Sequence, residues 1–363
     1  MVADAVPPES VRRALVIKLR HHGDVLLSSP VLTALKHHLP HADIDALVYA
    51  DTAPMLEQHP AMSQLHTIDR SWKKRGPRTH AALEWQLLSQ LRARRYDLVV
   101  HLTDHPRGAW LSRLLGARFA VAPRRTDQPW WWRRCFTHLY PLPRGPGRHT
   151  VECDLDALRR IGMPPTDDDR RLVLVPGAQA RERVAGLLSD HGLSPGGFVH
   201  LHPASRWLFK CWPTARNAAL IDALHADGWP IVLTAAPAQA EMRMAQEIAE
   251  AARAPVIQLA GQLSLKDMAA LSEAARLFVG VDSAPMHIAA AVGTPTVGLF
   301  GPSSEVTWGP WRVASRVVAS TAHPCRPCGL DGCGGSKVSE CLTTLPVERV
   351  LEASRELLAT TRQ

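Results

Sequence analysis

LFVGVDSAPMHIAAAVGTPTVGLF, residues 277–300, decides the fold class. Leu277–Val281 is an apolar run of strand length, and Asp282-Ser283 breaks it with a polar turn. Pro285 suits a first helical turn, so Pro285–Val292 reads as a helix. Pro295–Phe300 is again an apolar strand. Strand, helix and strand in this order form the unit from which parallel sheets are wound.

The alternation repeats outward from this stretch. Phe198–His202, Pro230–Thr234 and Val256–Leu259 read as strands. Thr214–Gly228, Gln239–Ala252 and Leu265–Ala275 read as the helices between them. Further upstream, Ala14–Leu19, Ile44–Tyr49, Asp97–Leu102 and Phe119–Ala122 are strand-like. Asp24–Leu39, with Pro30 as a kink, and Ala81–Arg95, Ala109–Leu115 and Asp154–Gly162 are helical. The pattern breaks between Arg124 and Pro176, so the expected division is 1–176 and 177–345, followed by a helical piece at 346–363. Two α/β domains in series imply a ligand cleft between them, with loops beyond the carboxyl ends of the strands as binding sites.

Composition narrows the class. Hydrophobic residues make up 46% and charged residues 21%, which excludes wholesale disorder. No apolar stretch reaches the ~18 residues of a membrane span. The start, MVADAVPPESVRR, lacks the apolar core of a cleaved signal, so a cytoplasmic location is expected. Lys plus Arg number 42 against 34 Asp plus Glu, a net charge of +8. Such a surplus suits anionic partners: nucleic acid, anionic headgroups or phosphorylated small molecules. No nucleic-acid-binding signature accompanies it, so nucleic acid is not expected. Seven cysteines argue against a complete disulfide framework.

Five features carry possible chemistry. The first is Lys18-Leu19-Arg20-His21-His22-Gly23-Asp24, between a strand and a helix. Gly23 suits a tight turn. Asp24 is either a helix cap or a carboxylate able to take a proton from an attacking hydroxyl. Asp104 and Arg107 follow another strand and line the same region, or form a solvated loop. The second is Asp282, Ser283, Ala284 and His287, where the start of a helix is either simply capped or offers its amides to a diphosphate. The third is Ser205, Arg206 and Lys210, after the strand ending at His202; two cations and a hydroxyl in such a loop suit phosphate. No P-loop and no G-x-G-x-x-G follows a strand, which tells against P-loop NTPases and dehydrogenases. The fourth is Cys325, Cys328, Cys333 and Cys341, open to a structural zinc site, free thiols or disulfides. The fifth is the Arg/Trp segment from Arg118 to Arg148, which either packs internally or meets an anionic glycolipid at a membrane surface.

ALVIKLRHHGDVLLSSPVLTALK, HPASRWLFKCWP, FVGVDSAPMHIAAAVGTPTVGLFGPS and CRPCGLDGCGGSKVSECL together resemble the bacterial lipopolysaccharide heptosyltransferases of glycosyltransferase family 9, above all the heptosyltransferase III subgroup. The resemblance implies an α/β GT-B fold, two Rossmann-like domains facing across a cleft, with residues 346–363 crossing back to the first. It implies inverting, metal-independent transfer of L-glycero-D-manno-heptose from ADP-heptose to the lipopolysaccharide inner core, as the branch heptose on the second core heptose. The catalytic base would be Asp24. Ser205, Arg206, Lys210, Glu241, Asp282, Ser283, Ala284 and His287 would hold the donor. Lys18, Arg20, His21, His22, Gly23, Asp104 and Arg107 would meet the acceptor. No cofactor is required, and the enzyme would work peripherally at the cytoplasmic face of the inner membrane. A sugar-nucleotide epimerase on the same fold, a heptosyltransferase with a different core acceptor and a non-catalytic sugar-nucleotide-binding protein are the rival readings.

Overall fold

A computed structural model of the chain describes residues 4–124, 128–142 and 147–360. Arg125 and residues 143–146 of the Arg/Trp segment, and the end of the 346–363 piece, lie outside the described residues. The chain divides into two compact units between Leu174 and Val175, two residues before the division expected at 176.

In the first unit the strands are β1 (Arg13–Ile17), β2 (Asp43–Tyr49), β3 (Gln64–Ile68), β4 (Leu98–His101), β5 (Phe119–Arg124) and β6 (His138–Pro141). They form one sheet in the order β3-β2-β1-β4-β5-β6, and every neighbouring pair is parallel. The helices are α1 (His22–Leu27), α2 (Ser29–His38), α3 (Pro77–Arg94), α4 (Pro106–Leu115), α5 (Trp130–Arg133) and α6 (Thr150–Arg160). The kinked helix expected over Asp24–Leu39 is two helices. Pro30 lies in the first turn of α2, where its missing N–H costs nothing, and the chain re-initiates there after α1 closes on Ser28. Central strands β1 and β4 are apolar and almost wholly buried because helices cover both faces.

The second unit repeats the arrangement. Its strands are β7 (Val199–His202), β8 (Ile231–Leu233), β9 (Val256–Gln258), β10 (Leu277–Val281), β11 (Thr296–Phe300) and β12 (Ser315–Ala319), ordered β12-β11-β10-β7-β8-β9, again all parallel. Its helices are α7 (Ala178–Asp190), α8 (Thr214–Ala226), α9 (Gln239–Ala251), α10 (Leu265–Ala274), α11 (Ala284–Ala291), α12 (Glu305–Trp308), α13 (Glu340–Thr343) and α14 (Val347–Thr360). A capping box between Ser264 and Asp267 fixes the start of α10.

Helix α14 packs on the second sheet. Val350, Ala353, Leu357 and Leu358 join the core built from Val297, Leu299 and Val318, and the helix lies against α8, β10, β11 and β12. Residues 347–360 are thereby built into the core of the second unit. The amphipathic stripe of α14 has its apolar partner on the second sheet, so burial decides its place. Among the described residues no helix is long and apolar enough to cross a membrane.

Each sheet has one switch point, where the winding reverses: between β1 and β4 in the first unit, and between β7 and β10 in the second. Ligands of open α/β sheets bind beyond the carboxyl ends of the strands at such points. The loops that leave these four strands carry Asp24, Asp104, Lys210 and Asp282.

Candidate active site

In the first unit, β1 ends at Ile17 and Lys18 follows. Its side chain turns inward. The Lys18 ammonium donates to both Asp154 oxygens on α6, at 2.8 and 2.7 Å, and both side chains are about 5% exposed. Burial pushes the Asp154 carboxyl up to about 6, against the pull of Lys18, and the charge of Asp24 adds to the rise. Lys18 was expected to meet the acceptor; the structure spends its charge inside, because a lysine buried at this depth needs a carboxylate.

Asp24 is the third residue of α1 and half-buried. It does not cap the helix: His21 holds the cap position and no side chain closes this end. Gly23 lies inside α1 with ordinary helical backbone, so no tight turn depends on it. The Asp24 carboxylate thus stands at an uncapped helix start beside the end of β1, with no bond from another described side chain or amide. A carboxylate so placed can accept a proton from an incoming hydroxyl.

Around it the structure gathers polar groups from three loops. Arg20 donates to Asp104 at 2.6 Å, which places Asp104 at this rim. The His22 ring is 2.9 Å from the Asp51 carbonyl. Arg70, which the sequence reading passed over, donates to the Arg20 carbonyl at 2.9 Å and to Asp51 at 3.1 Å, with its guanidinium 3.6 Å from the Tyr49 ring centre. The basic run SWKKRGPR, 71–78, was the available signal for a cationic edge here. Arg107 goes elsewhere. It pairs with Glu84 of α3 and is mostly buried, so it fastens α4 to α3 and does not face a ligand. His105 caps α4 by accepting from the Arg107 amide at 3.2 Å. Burial holds its ring below the usual histidine range, and the cations Arg107, Lys73 and Arg20 add to that.

In the second unit, β7 delivers His200 and His202 into the interior. Both rings bond the Thr234 hydroxyl, at 2.8 and 2.9 Å. Burial pushes His202 down to about 4 and His200 further, so both are neutral supports at neutral pH. The loop beyond them makes a short 3-10 turn, Leu208–Lys210. The Lys210 ammonium donates to Asp282 at 2.6 Å, joining the loops after β7 and β10 across the switch point. It also lies 5.2 Å from the Trp207 ring centre. Ser205 is buried and its hydroxyl accepts from the Trp207 amide at 3.4 Å, while Arg206 is exposed.

Helix α11 starts directly after Asp282. Ser283 holds the cap position, yet its hydroxyl donates back to the Val281 carbonyl at 3.2 Å and no side chain caps the helix. First-turn amides with a positive dipole end are thus left close to Lys210, which is held at Asp282, an arrangement suited to an anion. His287 is buried within α11. Gly280 in β10 allows the loops their close approach: a side chain there would meet the His202 carbonyl at 2.8 Å. Glu241, in the first turn of α9, is buried, its carboxyl raised by burial and held down by an amide bond from Ala236. The Cys211 thiol donates to the Ser205 carbonyl at 3.9 Å, and burial, with the charge of Glu241 adding, pushes that thiol up. A separate cavity of about 440 Å³ lies between Leu208, Trp212, Arg243 and Lys337 and takes in none of the predicted donor residues.

Of the three readings left open for the cysteine cluster, the structure shows free thiols. Cys325, Cys328, Cys333 and Cys341 are free thiols, the first two exposed and Cys341 buried in α13. Among the described residues no three His, Cys, Asp or Glu side chains are placed to hold a metal. Arg326 organises this loop instead, donating to the Gly301 carbonyl at 2.6 Å, the Ser320 carbonyl at 3.2 Å and Glu305 at 3.0 Å.

Two Rossmann-like units, one with an accepting carboxylate and one with an anion site at its switch point, are the parts of a nucleotide-sugar transferase. Residues 84–336 match the family described as glycosyltransferase family 9 (heptosyltransferase). A protein of Escherichia coli named lipopolysaccharide heptosyltransferase 3 is 40% identical over 295 residues, 81% of this chain and 84% of its own. The crystal structure of a family 9 glycosyl transferase from Veillonella parvula superposes with a TM-score of 0.82 at 23% identity, covering 96% of this chain and 98% of that one. The Escherichia coli heptosyltransferase WaaC, solved with ADP-2-deoxy-2-fluoro heptose, gives 0.70 at 22% identity, covering 95% and 99%. The chain belongs to glycosyltransferase family 9, the heptosyltransferases, and its fold is that of the GT-B class.

Proposed function

We propose that the chain transfers L-glycero-D-manno-heptose from ADP-heptose to the inner core of lipopolysaccharide, as the branch heptose on the second core heptose. The observation that carries the donor half is the Lys210–Asp282 pair beside the uncapped start of α11. The 40% identity to a lipopolysaccharide heptosyltransferase 3 supports the choice of acceptor.

An acceptor hydroxyl attacks the anomeric carbon of the heptose as the bond to the ADP phosphate oxygen breaks. The carbon inverts, the proton passes to the Asp24 carboxylate, and ADP leaves with the bonding electron pair. Lys210, Arg206 and the α11 amides meet the charge gathering on the diphosphate, and these protein groups supply that stabilisation without calling on a metal. Glu241 accepts from the adenosine ribose hydroxyls. Arg20, His22 and Asp104, with Arg70, form the rim that receives the anionic acceptor. The work is done peripherally at the cytoplasmic face of the inner membrane.

The test is transfer from ADP-heptose to defined core acceptors with and without the branch heptose, read by mass spectrometry. One added heptose on the acceptor lacking the branch is expected. No gain on any core acceptor, with ADP-heptose still bound, would overturn the reading.

A further inference from the structure

Helices α4 and α5 carry an aromatic and cationic surface that neither the core nor the site uses. On α4, Trp110 is 51% exposed and Leu114, one turn on, 44%; on α5, Trp130 is 68% exposed. Trp131 joins the two helices, its ring stacked on Trp110 with centroids 5.1 Å apart and planes 12° apart. Trp132 turns inward, buried against His101 and Phe136. The three consecutive tryptophans therefore divide their work: one anchors α5 and two lie toward the surface. Arg134 lies over the Trp130 ring at 4.8 Å, and Arg113 and Arg133 are exposed beside it. Among the described residues none of these three arginines is in an ion pair.

Scattered exposed apolar residues need no explanation, but stacked indoles rimmed by unpaired guanidinium groups do. Indoles settle at the headgroup level of a bilayer, where the ring is apolar and the N–H stays wet. Arginine stems lie along the apolar layer and extend their charges to anionic headgroups. A protein partner would have to bring carboxylates to three separate guanidinium groups, whereas an anionic bilayer offers them everywhere. The chain's net charge of +8 has the same sense. The placement is also apt: α4 begins at Pro106, directly after Asp104 and His105 at the acceptor rim, so its first residues border that rim while Trp110 and Leu114 lie further along.

We propose that the α4–α5 face, through Trp110, Leu114, Trp130, Arg113, Arg133 and Arg134, docks the protein on a bilayer surface of anionic phospholipid. The purpose of that docking rests on the proposed lipid-anchored acceptor, but the docking is measured without it.

The experiment is co-sedimentation of the full chain with vesicles of phosphatidylethanolamine and phosphatidylglycerol, and with vesicles of phosphatidylcholine alone. Binding to the first set and weak binding to the second are expected. Each arginine near an anionic surface contributes about a factor of five, so the triple Arg113→Glu, Arg133→Glu, Arg134→Glu variant, which loses three positive charges and adds three negative ones, should lose at least about a hundredfold in partitioning. Trp110→Ser with Trp130→Ser should lose about tenfold or more. Arg113→Lys, Arg133→Lys, Arg134→Lys keeps the charge and should bind like the parent. All variants should transfer heptose normally to a short, lipid-free core acceptor, which also shows that they fold. Equal vesicle binding by parent and both loss variants would overturn the assignment, as would equal binding to the two vesicle types. So would variants that change only self-association on a sizing column. A parent that docks yet transfers to no acceptor would refute the proposed function and leave the surface standing.

Discussion

Replacing Lys18 by Met removes the ammonium that Asp154 holds at 2.7 and 2.8 Å and leaves a carboxyl in a site where both side chains are about 5% exposed. The folded Asp154 titrates at about 6, against about 3.9 in the unfolded chain. The folded state therefore binds more protons between those values, and this group's contribution to stability falls as pH rises through that window, by about 3 kcal/mol in all. Lys18 is what keeps the folded value from climbing further, so in the variant the fall continues through neutrality. At about pH 5 both proteins hold a mostly protonated Asp154 and should differ by about 1 kcal/mol. At about pH 8 the variant must either bury an unpaired carboxylate or hold its proton, and the deficit should reach about 3–5 kcal/mol. Urea unfolding at the two pH values measures it, as a midpoint loss of about 1–2 M appearing mainly at the higher pH. Adding Asp154→Asn to the variant should abolish the extra pH dependence. A deficit equal at both pH values, or one that survives Asp154→Asn, would refute the reasoning.

Asp24→Ala should lower kcat by about 10²–10⁴-fold while ADP-heptose binding, read by calorimetry, stays near that of the parent. Lys210→Ala should weaken ADP-heptose binding by about tenfold or more, because a charge-assisted bond to phosphate is lost and Asp282 is left without its 2.6 Å partner; calorimetry checks this too. Gly108→Ala should lower the melting temperature, since a methyl group at this α4 position would sit 2.2 Å from the buried His101 ring, an overpacking cost of about 1–3 kcal/mol. Thiol labelling under native conditions should modify Cys325 and Cys328 well before Cys341, and a chelator should leave the melting temperature unchanged, because Arg326 ties the loop to Gly301, Ser320 and Glu305 and the four thiols are not gathered at one point.

The interior of both sheets was legible because burial on two faces makes a strand read as an unbroken apolar run. Leu277–Val281 matches its expected bounds, and Ile44–Tyr49 and Val256–Leu259 come within a residue of theirs. The strands not anticipated, β3, β6 and β12, all lie at sheet edges. QLHTI, HLYP and SRVVA mix exposed and buried positions, as an edge strand must, and carry no continuous apolar signal. The site was legible as loops but not as contacts. Residue type and position after a strand mark Lys18, Arg107 and Lys210 alike as cations near ligand sites. Only the fold shows that Lys18 meets Asp154, 136 residues away, that Arg107 meets Glu84, and that Lys210 meets Asp282. Arg70 escaped for the converse reason: its 3-10 helix follows an edge strand with no apolar run to announce it.

The two lysine–aspartate pairs show how one kind of contact serves different ends. Lys18–Asp154 and Lys210–Asp282 have nearly the same length, and each lies just past the end of a strand at a switch point. What separates them is access. The first pair is about 5% exposed on both sides, so exchanging its partner would require moving two charges through the protein interior, at a cost of several kcal/mol. Lys210 keeps 18% of its side chain in solvent, close to an uncapped helix start. It can swing toward a diphosphate with little desolvation cost, because its present partner already fixes the stem near that position. A lysine–aspartate pair at a switch point therefore does not announce a ligand site by its chemistry. Its openness decides, and on that criterion Lys210, not Lys18, is the lysine we propose for the donor's phosphates.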